Sequence, residues 1–499
     1  MAVRALAVFT VRRLDWYFVL YTVVVVTALL LGGGTHPGFL GDVIIQLVSI
    51  LLLLVALSRL VSTPDLRFPW TDVALWLAIV LVPLVQLVPV APSVWLHFPD
   101  AALRREAFQL TGHELEWRPI SLVPESTVLS MLSLVTPAAV FFGGRLLSPS
   151  QRRTTLAAVL VVATISVFLG LAQVAGGPDS SLRFYAVTNT IDAVGFFANR
   201  NHYAALLYVC IVITGMLAFD AGMEIFLTRS RLNRDPKRLI VFGVYLTLAF
   251  LLAVAQIITR SRAGILLTAL GLIGVAILGS IDPRNKWRKG SLAVMAVLGI
   301  LVVIFAFQFG YSRFADRMTF AAIRETRVTT AKNSTEAVER FFPTGSGIGT
   351  FKYVYSTIEK PDDLIFYTFV NEAHDDYIQV IEEAGVLGGL VLLMCFAWLG
   401  TRVFEISPRS PARATAIDTT VKRATALSIL LLLLHSMVDY PLRTSALMSL
   451  MAVFCAFQAA PLIESGAANS NGRQPRKSQA PQVGQSPRRK SPKAIIRSD

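Results

Sequence analysis

Charge is scarce in this chain. Asp, Glu, Lys and Arg make up 16% of its 499 residues, against about a quarter in soluble globular proteins. Together with 54% hydrophobic residues and a mean hydropathy of +0.60, this excludes a water-soluble globular domain. Cysteine is scarcer still: Cys210, Cys395 and Cys455 all lie inside apolar runs, which points to neither a disulfide framework nor a zinc site. No glycine-rich stretch is followed by the Lys-Ser/Thr of a phosphate loop, so ATP-driven transport is not expected. The stretch GGGTHPGFLGD (32–42) carries no paired acidic motif, which disfavours a metal-dependent sugar transferase. Few charges fall deep inside the apolar runs, and that argues against a proton relay of the transporter kind.

What the chain has in abundance is long apolar blocks of roughly 18–23 residues, the length that crosses about 30 Å of hydrocarbon. Twelve spans are expected, near 16–34, 40–60, 71–90, 126–147, 155–175, 202–222, 239–258, 263–281, 291–309, 385–403, 423–440 and 445–463. The chain therefore reads as an all-α, polytopic integral membrane protein. The first run follows Arg4, Arg12 and Arg13 as in a signal peptide, but no clear small-x-small cleavage site comes after it, so it is read as a retained span. The net charge of +14 is assigned to basic loops and a basic tail, not to nucleic-acid contact.

Arg145, Arg152 and Arg153, the run TRSRLNRDPKR (228–238), DPRNKWRKG (282–290) and the stretch from Arg402 to Arg423 all follow even-numbered spans. Basic loops favour the cytoplasm, so these loops and both termini are expected there. Residues 1–463 then form the transmembrane domain. Residues 464–499, rich in Ser, Pro, Gln, Lys and Arg, read as a disordered basic cytoplasmic tail touching anionic lipid. The opposite side receives loops 91–125, 176–201 and 310–384, and two short turns, TRSRAG (259–264) and DYPLR (439–443).

The largest of these loops ends in NEAHDDYIQVIEEAG (371–385), where Glu372, Asp375, Asp376, Glu382 and Glu383 surround His374 just ahead of a span. Read as a helix, the stretch puts His374, Ile378 and Ile381 on one face, as an amphipathic helix at the membrane surface. A lone histidine there serves either structure or proton transfer. No second histidine stands at ligand spacing, so no metal site is expected. Arg200, in GFFANRNHYAALL (195–207), and Arg260 and Arg262, in TRSRAG, sit at outer span ends, against the positive-inside tendency. Either they snorkel to lipid headgroups, or their guanidinium forks hold phosphate oxygens. PTGSGIGTF (343–351) reads as a tight turn whose backbone N–H groups suit an anion. His435 and Asp439 stand four apart, with Arg443 just beyond. They form either a mutually orienting pair in a site or a buried pair that steadies the hairpin.

In this order along the chain, GFFANRNHYAALL, TRSRAG, GSGIGTF, NEAHDDYIQVIEEAGVLGGL and HSMVDYPLR resemble the bacterial O-antigen ligase and polymerase superfamily, from about residue 80 to 455. The resemblance implies a GT-C-like membrane fold with a large periplasmic loop carrying short helices. It implies an inverting transfer, free of metal and cofactor, of a glycan from an undecaprenyl-diphosphate-linked donor to an acceptor hydroxyl. The site would face the periplasm from the bacterial inner membrane. His374 matches the family's loop histidine, and Arg200 and Arg262 match its outer arginines. Alanine follows Arg262 where glycine is common, a departure that leaves the arginine matched; Arg260 is not a clear family position. Asn199, Asp375, Asp376, His435, Asp439 and Arg443 take supporting places. The chemistry accords with these residues: a leaving diphosphate gains charge that arginines stabilise, and a histidine takes the acceptor's proton. The acceptor stays open between a lipid A–core sugar, a lipid-linked repeat and a protein hydroxyl. So does a reading from another class, a transporter or flippase of a lipid-linked or anionic solute.

Overall fold

A computed structural model describes residues 15–35, 40–63, 66–227, 236–282, 317–361, 369–404, 418–459 and 462. Inside hydrocarbon a chain satisfies its backbone N–H and C=O groups only internally, and an apolar run does so as a helix. The helices are α1 (Trp16–Leu31), α2 (Leu40–Ser62), α3 (Trp70–Leu87), α4 (Pro92–Trp95), α5 (Ala101–Thr111), α6 (Pro124–Ser133), α7 (Val135–Arg145) and α8 (Pro149–Ala175). They continue as α9 (Arg200–Leu227), α10 (Pro236–Ile258), α11 (Arg262–Ser280), α12 (Arg317–Phe341), α13 (Phe351–Ile358), α14 (Asp376–Phe404), α15 (Thr419–His435) and α16 (Ser445–Gln458). An antiparallel pair, β1 (Pro89–Val90) on β2 (Arg118–Pro119), closes the loop after α3.

The protein is all-α and polytopic. Among the described residues, eight segments are long and apolar enough to cross a membrane: α2, α3, α6 with α7, α8, α9, α10, α11 and α14. Helices α1 and α16 are apolar but shorter. The expected ninth span (291–309), the basic loop 283–290 and the tail 464–499 lie outside the described residues. The expected fourth span is broken at Leu134 between α6 and α7. Pro137, in the first turn of α7, has no N–H to continue the ladder and crowds the preceding turn.

Polar side chains fix several helix starts. Asp15 accepts from Tyr17 N, Asp418 accepts from Val421 N, and Ser148 and Gln151 cap α8 reciprocally. The central helix is α9, buried along most of its length and packed by α10, α11 and α15. At the periphery, Leu47 and Leu54 on α2 and Leu239 and Phe250 on α10 face outward. Such large apolar faces are a liability in water and are the natural lipid contact of a spanning helix.

The two ends of the bundle differ. At one end, buried Asp72 pairs with Arg145 at 3.1 Å and Arg402 at 2.8 Å, and accepts from Trp398 Nε1 at 2.9 Å. Arg423, near the start of α15, meets Asp282, just past α11, at 2.6 Å. Charges so buried persist only when paired. At the other end, Ala198 N donates to Gly33 O (3.0 Å), Ala446 N to Gly32 O (3.0 Å) and Asp376 N to Ser436 O (2.8 Å). These bonds draw the starts of α9, α14 and α16 and the ends of α1 and α15 into one layer.

Candidate functional site

His374 is not on a helix. Its backbone is left-handed (φ 55), and α14 starts two residues later because Asp375 Oδ1 accepts from Tyr377 N (2.9 Å) and Ile378 N (3.0 Å). An aspartate that takes the first free N–H groups ends the helix at itself, so the expected face of His374, Ile378 and Ile381 does not form. The imidazole turns instead to the hairpin after α15. Its Nδ1 lies 3.1 Å from Asp439 Oδ1. That carboxylate also accepts from Asn201 Nδ2 at 2.5 Å and Tyr440 N at 3.0 Å. Asp439 is buried, while the His374 side chain is 31% exposed. Burial opposes charge on Asp439, but the bond from His374 and the rings of His374, His202 and His435 outweigh it. They hold the carboxyl well below the usual carboxylate range. An ionised Asp439 assigns the proton to Nδ1 of His374 and leaves Nε2 as the basic nitrogen.

A second array meets this one at the first turn of α9. Arg200, its first residue, places Nη1 2.5 Å from Asp192 Oδ2, and its backbone N donates to Asn189 Oδ1 at 2.9 Å. Arg260 Nη1 lies 3.6 Å from the other oxygen of Asp192. Arg260 sits in the bend between α10 and α11 with φ 55. Arg262 opens α11 and is exposed. The structure thus joins Arg200 to Arg260 around one carboxylate, although the family motif singles out Arg262. Asn199 binds locally: its Oδ1 accepts from Asn201 N at 2.8 Å.

The remaining supporting residues bind the layer together. Arg443 Nη1 donates to Glu383 Oε2 at 2.9 Å, and its Nε lies 3.5 Å from Asp376 Oδ1. Asp376 also accepts from Ser436 Oγ at 2.7 Å, and the carboxylate hydrogen-bonded to His374 is that of Asp439. Half-buried Glu372 accepts from Gln379 Nε2. Burial pushes its carboxyl up to about 7, with Arg443 opposing and Glu383 adding to the rise. His435 favours the charge on Asp439, whose Oδ1 takes the hydrogen bond of His374. Buried His435 pairs through Nδ1 with Tyr208 OH at 3.1 Å, beneath the site.

The glycine loop is not an anion nest either. Ser346 N and Gly347 N donate to the carbonyls of Glu382 (3.1 Å) and Glu383 (2.8 Å), and Ile348 N donates to Gln86 Oε1 (2.9 Å). The loop clamps a kink in α14 at Gly385 (φ 55, ψ −137). A Cβ on Gly385 would stand 2.0 Å from Pro343 O, and one on Gly345 2.4 Å from Glu383 O. Only glycine allows that approach.

Among the described residues no group of three His, Cys, Asp or Glu side chains is placed to hold a metal ion. Asp192, Asn201 and Tyr440 belong to the layer but do not stand out in the sequence. Each is tied to a partner from another loop, and only the acid eight residues before Arg200 gives any local signal.

Residues 247–393 match the family model described as O-antigen ligase. The chain therefore carries a domain of the O-antigen ligase and polymerase superfamily. The match includes Arg260, Arg262, the glycine loop and His374, while Asp192, Arg200 and Asp439 lie beyond it. A comparison with curated proteins returns no match.

Proposed function

We propose that this chain, a membrane protein with an O-antigen ligase domain, transfers a glycan from an undecaprenyl-diphosphate-linked donor to a hydroxyl acceptor, with inversion and without a metal ion. The observation that carries the reading is the junction at the start of α9. There a part-exposed histidine is oriented by a buried carboxylate, and that carboxylate is held by Asn201, the chain neighbour of Arg200 in the guanidinium cluster.

In the reaction, His374 Nε2 takes the proton from the acceptor hydroxyl as its oxygen attacks the anomeric carbon. The bond from that carbon to the diphosphate breaks, and the lipid diphosphate leaves with the electron pair. Arg200, Arg260 and Arg262 stabilise the charge that collects on it. Asp439 keeps the base in one tautomer and stabilises the imidazolium until the proton passes to water. The carboxylate of Asp192 holds Arg200 and Arg260 side by side before the donor arrives.

The site layer faces the periplasm and the basic layer around Asp72 faces the cytoplasm, in line with the positive-inside tendency. The test is transfer by purified protein in lipid vesicles with no ion or proton gradient imposed. Glycan appearing on the acceptor supports the reading; donor crossing the bilayer without new glycosidic bonds supports a flippase instead. Surface polysaccharide from a deletion strain identifies the acceptor. Loss of chain-length variation indicates a lipid-linked repeat, accumulation of full-length lipid-linked polymer a lipid A–core sugar, and loss of glycan from protein a protein hydroxyl.

A further inference from the structure

Tyr440 is nearly fully buried and takes no part in the proton transfer or the diphosphate contacts. Its ring stands between two histidines, with its centroid 5.0 Å from that of His374 at 65° and 4.8 Å from that of His202 at 82°. The side chains of Asn199 and Asn371 are polar neighbours of its hydroxyl. Its backbone N–H donates to Asp439 Oδ1, the oxygen that also accepts from His374. Asn199 immediately precedes Arg200, and Asn371 lies three residues before His374.

One hydrogen bond from Nδ1 decides which nitrogen of His374 is basic and roughly where it points. It leaves the ring free to turn about the Nδ1–Oδ1 line. His374 precedes its helix, so no helical turn restrains it. An edge-on aromatic contact supplies the missing restraint, because such pairs prefer a defined angle. His202 backs the arrangement: it is fully buried, and neither of its ring nitrogens has a hydrogen-bond partner. What it offers Tyr440 is a surface.

We propose that Tyr440 is a positioning residue that fixes the plane of the His374 ring and, through Asn199 and Asn371, holds the base in register with the guanidinium cluster at Arg200. This rests on the glycan-transfer reading of the site.

The test compares Tyr440→Phe and Tyr440→Leu in the vesicle assay, with folded protein and melting temperature measured beside each rate. Misplacing a catalytic group by about 1 Å can cost about 10²-fold. Tyr440→Leu should therefore lower kcat by about 10–10² while donor KM stays within about twofold. Tyr440→Phe keeps the ring and loses both ties, so kcat should hold within about threefold while donor KM rises by about three- to tenfold. A Tyr440→Leu protein that melts early yet keeps its kcat per folded molecule overturns the proposal. Should that variant not fold, Tyr440→Phe decides alone: unchanged kcat and unchanged donor KM overturn it. Transfer that survives His374→Ala contradicts the transfer reading itself, whatever the Tyr440 variants do.

Discussion

At the scale of single residues, His374 and Asp439 share the proton chemistry. The histidine carries the proton, and the aspartate decides which nitrogen is free for it. Arg200, Asp192 and Arg260 share the anion chemistry in the same way. Asp192 occupies two guanidinium groups while each keeps N–H donors for a ligand, an arrangement that needs the planar fork of arginine. Arg200→Lys keeps the charge and loses the fork. It should cost about 2–4 kcal/mol of transition-state stabilisation, or about 10²–10³ in rate, measured as kcat/KM in vesicles. A fully active lysine variant would remove Arg200 from the diphosphate. His374, Arg200 and Arg262 are legible in the sequence because each stands in a short motif at the end of an apolar run. Asp192 and Tyr440 are not, because a partner's identity depends on which loops the fold brings together. Spacing along the chain carries no trace of the 3.1 Å contact from His374 to a residue 65 positions away.

At the scale of elements, the clamp on α14 is the feature with the sharpest consequence. The helix turns at Gly385, where Val386 N donates to Pro343 O at 3.0 Å and the glycine loop wraps the bend. Placing a side chain at such a backbone position costs about 1–3 kcal/mol before any clash is counted. Gly385→Ala should therefore lower the melting temperature in detergent and loosen Arg443, Glu383 and the segment leading to His374. An alanine variant that melts with the wild type would show that the clamp does not hold the site. Most helices are legible from length and hydropathy alone, since crossing hydrocarbon sets both. The irregularities are harder to see. Pro137 splits the fourth span, Asp375 cuts His374 off from its helix, and the glycines that look ready for an anion spend their N–H groups on the carbonyls of Glu382 and Glu383. In each case a polar or backbone demand overrides the apolar period, and period is the signal that a sequence displays.

At the scale of the whole molecule, the bundle is a body with two unlike ends, one fastened by buried ion pairs around Asp72 and one carrying the site. Cysteines introduced near 230 and 285 should resist an impermeant thiol reagent in whole cells, and one near 335 should react. Labelling of the first pair alone would put His374 in the cytoplasm and end the lipid-linked-donor account. With sidedness settled, single-turnover transfer per folded protein, measured for wild type and His374→Ala beside donor binding, tests the central claim most directly. The account predicts a fall of about 10²–10⁴ in transfer with donor affinity nearly unchanged, since the base acts in the transition state and not in the ground state. An alanine variant that binds donor and transfers glycan at the wild-type rate per folded molecule would contradict it.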